Sequence, residues 1–144
     1  GITWHTETLL SSTRKALDLL ASWNWLRKND WYLAGGTALA LYTGHRQSVD
    51  LDFFTPRGTF TTGPLLDHFK DIQWETAVSE KGTVYGTLLQ AKVSFIAYPF
   101  FKRAELPQWY GNVRVLALAD IAVMKIIAIS QRGRKRDLLI YFGM

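Results

Sequence analysis

Two aspartates separated by one residue, Asp50 and Asp52, stand in the segment SVDLDFF at residues 48–54. Polar and apolar residues alternate there, which is typical of a β-strand. Residues two apart on a strand share a face and lie roughly 6.5–7 Å apart, so both carboxylates point the same way. The residues between and beside them are expected to face the core: Val49, Leu51 and Phe53.

Carboxylates this close repel each other, and a divalent cation removes the conflict. Mg²⁺ suits such a pair because it prefers one or two carboxylates together with phosphate oxygens and water. Taken alone, however, the pattern favours a strand whose solvated face carries two acids.

A glycine turn precedes the aspartates: Gly35-Gly36-Thr37 stands between a predicted strand and a predicted helix. Glycine lets a backbone approach a ligand closely, and free amides at a helix N-terminus bind phosphate. The Thr37 hydroxyl can add a donor. No lysine follows, so this is not a P-loop. Alone, the glycines favour an ordinary tight turn.

Turn and aspartates together predict more than either does alone. A strand–turn–helix–strand unit places the two side by side, so phosphates at the turn would reach a metal at the carboxylates. That arrangement suits nucleotidyl transfer, in which a hydroxyl attacks the α-phosphorus of a nucleoside triphosphate and pyrophosphate leaves.

The elements that position these residues follow from apolar periodicity and turn residues. Helices are predicted over residues 7–29, 37–44, 61–69 and 118–133, with a last helix beginning around Arg134. Strands are predicted over residues 31–35, 48–54, 71–78, 83–90, 92–100 and 112–118. This order predicts a mixed α/β sandwich.

Length and composition are typical of one packed domain over residues 1–144, since 48% of the residues are apolar. No apolar run approaches the roughly 18 residues that span a bilayer, and the chain has no cysteine, so we expect a cytoplasmic protein away from membranes. The net charge of +5 fits either an anionic partner or simple solubility. The final apolar segment, LLIYFGM, stops abruptly after a basic cluster, which predicts that this sequence is truncated at its C-terminus and that the natural protein continues.

The segment YLAGGTALALYTGHRQSVDLDFFT resembles the first motif of the AbiEii/AbiGii toxin family of nucleotidyltransferases, within the DNA polymerase β-like superfamily. That motif is a GG or GS turn followed by D-x-D. The resemblance covers roughly residues 25 to 143 and extends through AKVSFIAYPF and LADIAVMKIIAISQRGRKRDLLIYF. A helical lysine, an R-G turn and an Arg/Lys-Asp pair follow in the family's order: Lys125, Arg132-Gly133 and Arg136-Asp137.

The resemblance implies a DNA polymerase β-like fold, with a mixed β-sheet flanked by helices. It implies Asp50 and Asp52 as catalytic metal ligands and Lys125 as a catalytic residue that reaches the triphosphate or the leaving pyrophosphate. We expect Lys125 to point into a polar pocket rather than to the surface. The implied nucleotide-binding residues are Gly35, Gly36, Thr37, Arg46, Ser48, Lys125 and Asp137.

Two positions depart from the family's pattern. Ser94 stands where many superfamily members have a third carboxylate, which puts metal stoichiometry and rate in doubt. Glu75, Glu80 or His45 would substitute only if the fold brought them close. Ile140 replaces an aspartate of the last motif. The basic run Arg132, Arg134, Lys135 and Arg136 fits either phosphate binding or, slightly better, a solvated turn.

The leading hypothesis is a metal-dependent nucleotidyltransferase with an NTP as substrate and Mg²⁺ or Mn²⁺ as cofactor. The resemblance implies an RNA end such as tRNA, or a protein side chain, as acceptor, and a separate antitoxin as partner in a toxin–antitoxin or phage-defence pair. A second hypothesis is a nucleotide-binding or partner-binding module of the same fold with weak or no turnover. A third is a fragment that is inactive because C-terminal helices are missing.

Overall fold

The computed structural model describes residues 2–45 and 48–131. These residues form, in chain order, a 3₁₀ turn at Thr6–Thr8 and the helices and strands α1 Ser11–Ala21, α2 Asn24–Lys28, β1 Tyr32–Ala34, α3 Gly35–Thr43, β2 Asp50–Thr55, α4 Thr62–Asp67, β3 Trp74–Glu80, β4 Thr83–Leu88, β5 Ala91–Ala97, β6 Gln108–Tyr110, β7 Val113–Val115 and α5 Leu118–Ser130.

All seven strands of the described residues join one mixed sheet in the order β3-β4-β5-β2-β1-β7-β6. Strand β2 is parallel to β5 and antiparallel to β1, and β1 is parallel to β7. Helix α3 packs against β1, β2 and α5, and α1 packs against β2 and β5. The predicted mixed α/β sheet with flanking helices is therefore confirmed.

The central pair of strands, β2 and β5, carries an aromatic core. Phe53 stacks on Phe95 with ring centroids 5.2 Å apart, and Phe69, just beyond α4, lies 5.8 Å from Phe95. On the other face of β2, Phe54 contacts Tyr98 edge-on. Because both faces bury aromatic rings, β2 is held in the interior except where its aspartates reach the surface.

The expected burial of Leu51 and Phe53 is confirmed, but that of Val49 is wrong. Val49 is 45% exposed, because β2 begins one residue later and Val49 lies in the segment that leads into it. Its carbonyl oxygen accepts a hydrogen bond from the Thr13 hydroxyl of α1 at 2.8 Å. That bond ties the entry of β2 to the first helix.

The single helix predicted over residues 7–29 is also wrong, because the chain is interrupted between α1 and α2. Trp23 has an extended backbone, and the Ala21 carbonyl accepts a hydrogen bond from the Asn112 amide at 2.8 Å. A Cβ at Gly111, where φ is +55°, would lie 2.8 Å from that same carbonyl oxygen. The β6–β7 hairpin thus packs into the helix break, a long-range contact that local periodicity does not encode.

Strand β6, at Gln108–Tyr110, was not expected from the sequence, whereas β7 lies inside the strand predicted over residues 112–118. The last predicted helix, around Arg134, falls outside the described residues. Within the described part of the chain, none of the helices is both long and apolar enough to cross a bilayer.

Asp120 anchors the loop that precedes β6. The side chain is 3% exposed and accepts hydrogen bonds from the backbone amides of Ala104 and Glu105 at 3.0–3.1 Å. A buried carboxylate that satisfies two backbone donors holds this loop against the start of α5.

Replacing Asp120 by alanine should lower the free energy of unfolding by roughly 1–3 kcal/mol, because the backbone amides of Ala104 and Glu105 lose a buried, charged acceptor. Urea unfolding followed by circular dichroism measures the change. Glu105→Ala, which leaves both amides bonded to Asp120, should change stability by less than about 0.5 kcal/mol. Equal losses in the two variants would contradict the proposed anchoring.

Candidate active site

The glycine turn and the aspartates meet where β1 ends and α3 begins. Ala34 lies opposite Asp52 in the antiparallel β1–β2 pair. The next residue, Gly35, has φ of +75°, and a Cβ there would lie 3.0 Å from Oδ2 of Asp52. A side chain at residue 35 would be strained and would press on the carboxylate, so the position requires glycine.

Asp50 and Asp52 lie on the same face of β2 and are both partly buried. Oδ1 of Asp52 accepts a hydrogen bond from the Ser94 hydroxyl of β5 at 2.9 Å. Oδ1 of Asp50 is buried and has no hydrogen-bond partner among the residues that the structure describes. A buried, unpartnered carboxylate oxygen is costly and therefore marks a position for a ligand.

The environment of the Asp52 carboxyl disfavours its charged form. Burial raises its pKa from 3.8 to about 7. The hydrogen bond from Ser94 acts in the opposite direction, and the negative charge of Asp50 raises the pKa further. Two partly desolvated carboxylates on one strand face therefore favour a bound cation or a bound proton.

The donor set fits a hard divalent cation such as Mg²⁺ or Mn²⁺, because the two carboxylates face the same way and one oxygen is unsatisfied. Among the described residues, no group of three or more acidic, histidine or cysteine side chains is placed to hold a metal. Glu75, Glu80 and His45 thus do not complete such a group. Ser94, at the position where the resemblance implied a third carboxylate, lies opposite Asp52 in the parallel β2–β5 pair.

A pocket of 320 Å³ opens beside the aspartates. Its wall is formed by β3, β4 and β5, through residues that include Ala77, Tyr85, Thr87, Lys92 and Ser94. Lys92 is exposed and lies opposite Asp50 in the β2–β5 pair, so it shares the face of the carboxylates. The pocket thus has a carboxylate side and one lysine.

Lys92, Tyr85 and Thr87 were not recognised as site residues from the sequence. The period of two residues in β5 does place Lys92 on the same face as Ser94. What local patterns do not reveal is that β4 and β5 pair next to β2, which is a long-range property of the sheet.

The hydroxyl of Thr37 has hydrogen-bond partners within the protein, where a contact to phosphate was expected. Thr37 is 1% exposed, and its hydroxyl donates to the backbone carbonyl of Asp50 and bonds the Ser48 hydroxyl at 2.6 Å. The prediction that this hydroxyl donates to phosphate is corrected, because the strand already uses it. Thr37 and Ser48 instead tie the first turn of α3 to the start of β2.

Comparison with known proteins decides the family. The family model described as "Nucleotidyl transferase AbiEii toxin, Type IV TA system" matches residues 18–139. The chain belongs to the AbiEii nucleotidyl transferase toxin family. The resemblance inferred from the turn, the aspartates and the later motifs is thereby confirmed.

Two other proteins show how far this AbiEii chain extends along its relatives. Uncharacterized protein aq_aa25 of Aquifex aeolicus is 39% identical over 115 residues, which are 76% of this chain and 54% of that protein. The crystal structure of JHP933 from Helicobacter pylori has a TM-score of 0.52 at 18% identity, over 83% of this chain and 58% of that one. The chain thus spans little more than half the length of these relatives, and JHP933 shares its fold.

The later AbiEii motif residues are described only in part. Lys125 lies on α5, is exposed and does not line the pocket at the aspartates. Nothing among the described residues tests whether Lys125 enters a polar pocket, so that expectation stays a prediction. A role of Lys125 toward nucleotide stays a prediction. Arg46, Arg132, Gly133, Arg136 and Asp137 lie outside the described residues.

The raised pKa of Asp52 makes the stability of the folded protein depend on pH. Since its pKa is raised on folding, the folded state binds more protons than the unfolded state between pH 3.8 and about 7. Stability therefore falls as the pH rises through this window, and the penalty is fully present above pH 7.

Asp52→Asn, which is neutral at every pH, should stabilise the protein by on the order of 1–3 kcal/mol near pH 8 and by almost nothing near pH 4. Urea unfolding at both pH values, without divalent cations, measures the difference. Glu80→Gln removes an exposed acid on β3 and should show no such pH dependence. A destabilised Asp52→Asn at pH 8 would contradict the raised pKa.

Proposed function

We propose that this chain catalyses metal-dependent transfer of a nucleoside monophosphate from an NTP to a hydroxyl of RNA or protein. The observation that carries the proposal is the close approach of the Gly35 backbone to Asp52, beside the pocket that both aspartates line. Phosphate bound at the turn would lie next to two carboxylates, which is the arrangement that nucleotidyl transfer requires. Family membership supports the same reaction class.

The triphosphate would bind at the N-terminus of α3. The first amides of a helix have no partner within it and, with the helix dipole, favour an anion. Gly35 and Gly36 leave the backbone there without side chains. Thr37 contributes by fixing the helix start to β2, rather than by a hydroxyl contact to phosphate.

Asp50 and Asp52 would hold Mg²⁺ or Mn²⁺, which when bound neutralises phosphate charge and favours ionisation of Asp52. Lys92 shares this face and would attract a phosphate of the nucleotide or of the acceptor. The 320 Å³ pocket beyond the aspartates has room for the acceptor group. The acceptor hydroxyl would attack the α-phosphorus and lose its proton to solvent water, the bond between the α-phosphorus and the α–β bridging oxygen would break, and pyrophosphate would leave with that oxygen.

The acceptor and the physiological role follow from the family rather than from the site. We propose an RNA end such as tRNA, or a protein side chain, as acceptor. The family's description as a toxin of a type IV TA system supports a toxin role with a separate antitoxin protein as partner. We propose the cytoplasm as the place where it acts.

One observation favours a second candidate function, a binding module that retains nucleotide without turnover. Ser94 stands opposite Asp52 and donates a hydrogen bond to it. A serine does not deprotonate an attacking hydroxyl as a carboxylate does. In this alternative, metal and nucleotide bind but transfer is lost.

A transfer assay distinguishes the nucleotidyltransferase from the binding module. Wild-type protein is incubated with Mg²⁺ or Mn²⁺, with each α-labelled NTP in turn, and with total tRNA or cell protein. Label should enter a macromolecule, and Asp50→Ala/Asp52→Ala should abolish it, because both metal-holding carboxylates are gone.

Glu75→Gln/Glu80→Gln is the matched control, since it also removes two acids from a strand of the same sheet. It should transfer label as the wild type does. Nucleotide and metal binding without transfer would favour the binding module, and transfer that survives in the double aspartate variant would overturn the proposed site.

Mn²⁺ affinity tests metal binding without any turnover. Because the metal must displace the proton of Asp52, affinity should rise by up to about tenfold per pH unit below pH 7 and level off above it. Titration calorimetry in buffers of different ionisation enthalpy measures the released proton. Ser94→Ala should move the transition to higher pH, because it removes the hydrogen bond that lowers the pKa. Affinity independent of pH would contradict coordination by Asp52.

A further inference from the structure

A second pocket, of 560 Å³, lies outside the proposed nucleotide site and is strongly basic. Five cations line it, and we call it the basic groove: Lys28, Arg57, Lys102, Arg103 and Arg114. Asp30 is the acid among the residues that line it, and its carboxylate pairs with Arg57 at 2.7 Å. Five cations against one acid leave a surplus of four positive charges, most of the chain's net charge of +5.

Hydrogen bonds to the backbone hold Arg114 in place in the basic groove. The Arg114 guanidinium donates to the carbonyl oxygens of Asn29 and Trp31 at 2.6 and 2.9 Å. Burial, and then the neighbouring charge of Arg103, lower the pKa of Arg114. Crowded cations that repel each other favour an anionic ligand.

Aromatic rings border the basic groove on two sides. The indole of Trp109, 36% exposed, has the guanidinium carbons of Arg27 and Arg114 at 4.2 and 4.7 Å from its ring centre. A further cleft of 530 Å³ shares Asn29, Asp30 and Arg57 with the groove and contains Trp25, whose ring stacks on His68 at 4.0 Å. Charge and flat rings therefore follow one another along one continuous surface.

The basic groove and the proposed nucleotide site lie at opposite ends of β2. Asp50 and Asp52 are at its start, and Arg57 follows its last residue, Thr55. At about 3.3 Å per residue, Thr55 is roughly 17 Å along the strand from Asp50, and Arg57 lies in the bend that follows. The basic groove and the pocket at the aspartates share none of their lining residues, so they are separate sites.

We propose that the basic groove binds the phosphodiester backbone of a single-stranded nucleic acid. A backbone supplies repeated negative charge, and its unpaired bases supply flat surfaces for the bordering rings. An acidic peptide would match the charge but not the aromatic rings. Binding does not depend on catalysis, whereas the role of the bound strand as acceptor rests on the proposed function.

The test measures binding of fluorescein-labelled single strands of about 20 nucleotides, RNA and DNA of the same sequence, by fluorescence anisotropy without NTP. Lys28→Glu/Lys102→Glu/Arg103→Glu reverses three exposed groove charges. It spares Arg114, which bonds the backbone, and Arg57, which bonds Asp30. The replaced Arg103 donates one exposed hydrogen bond, to the carbonyl oxygen of Glu105 at 3.3 Å. The control, Lys15→Glu/Lys70→Glu/Lys81→Glu, reverses three exposed lysines elsewhere. Both variants change the net charge from +5 by the same amount, and circular dichroism and urea unfolding establish that both fold.

The groove variant should bind at least about tenfold more weakly than wild type. The slope of log Kd against the logarithm of the salt concentration should decrease by about two, as expected for three lost phosphate contacts on a single strand. The control should lose less than about threefold. Tighter binding of one strand type identifies the natural ligand as RNA or DNA. Equal losses in both variants, equal competition by polyglutamate, or no binding by wild type would overturn the proposal.

Asp50→Ala/Asp52→Ala should bind the strand as tightly as wild type. Loss of transfer in this variant with intact strand binding shows that the aspartates act in transfer and not in strand binding. Failure of transfer by the wild type, with intact strand binding, sinks only the proposed enzyme activity. Loss of strand binding in the groove variant, with nucleotide and Mn²⁺ binding retained, shows that the groove is a separate site.

Discussion

The contact between the backbone of Gly35 and the carboxylate of Asp52 is the constraint on which the rest of this structure depends. Strand β1 must end, turn and enter α3 within one residue, while β2 runs back antiparallel beside it. Only a residue without a Cβ accepts φ of +75° with a carboxylate oxygen at 3.0 Å from the Cβ position. The buried Thr37 hydroxyl then fixes α3 to β2, so the helix N-terminus and both aspartates are held as one unit.

That unit is organised for ligand binding rather than for its own stability. Asp52 is buried enough for its pKa to reach about 7, and an oxygen of Asp50 lacks a partner within the described chain. A core built for stability alone would avoid both, because unsatisfied or charged buried groups cost free energy. The surrounding sheet supplies the packing that tolerates this cost. Phe53 of β2 stacks on Phe95 of β5 on the face opposite the aspartates.

The sequence predicted the features that neighbouring residues encode, and it missed those that contacts between distant segments create. The D-x-D alternation, the glycine turn and the apolar periodicity are local, and they correctly predicted β2, α3 and the meeting of turn and carboxylates. The break at Trp23 and strand β6 were missed because the β6–β7 hairpin, almost ninety residues away by sequence, satisfies the end of α1 through Asn112. Lys92 was missed for the same reason, since its partner Asp50 is set by sheet order.

The β6–β7 hairpin also explains why the sequence left open whether the net charge of +5 serves an anionic partner or simple solubility. The groove cations come from four separate segments: the end of α2, the turn after β2, the loop before β6 and strand β7. None of these segments is basic enough to stand out, and the one obvious basic run, near Arg134, lies outside the described residues. Pairing β7 with β1 brings Arg114 to the end of α2, where its guanidinium bonds carbonyl groups and lies in the same groove as the other four cations. An anion-binding surface can thus arise from fold topology alone, and composition records only its total charge.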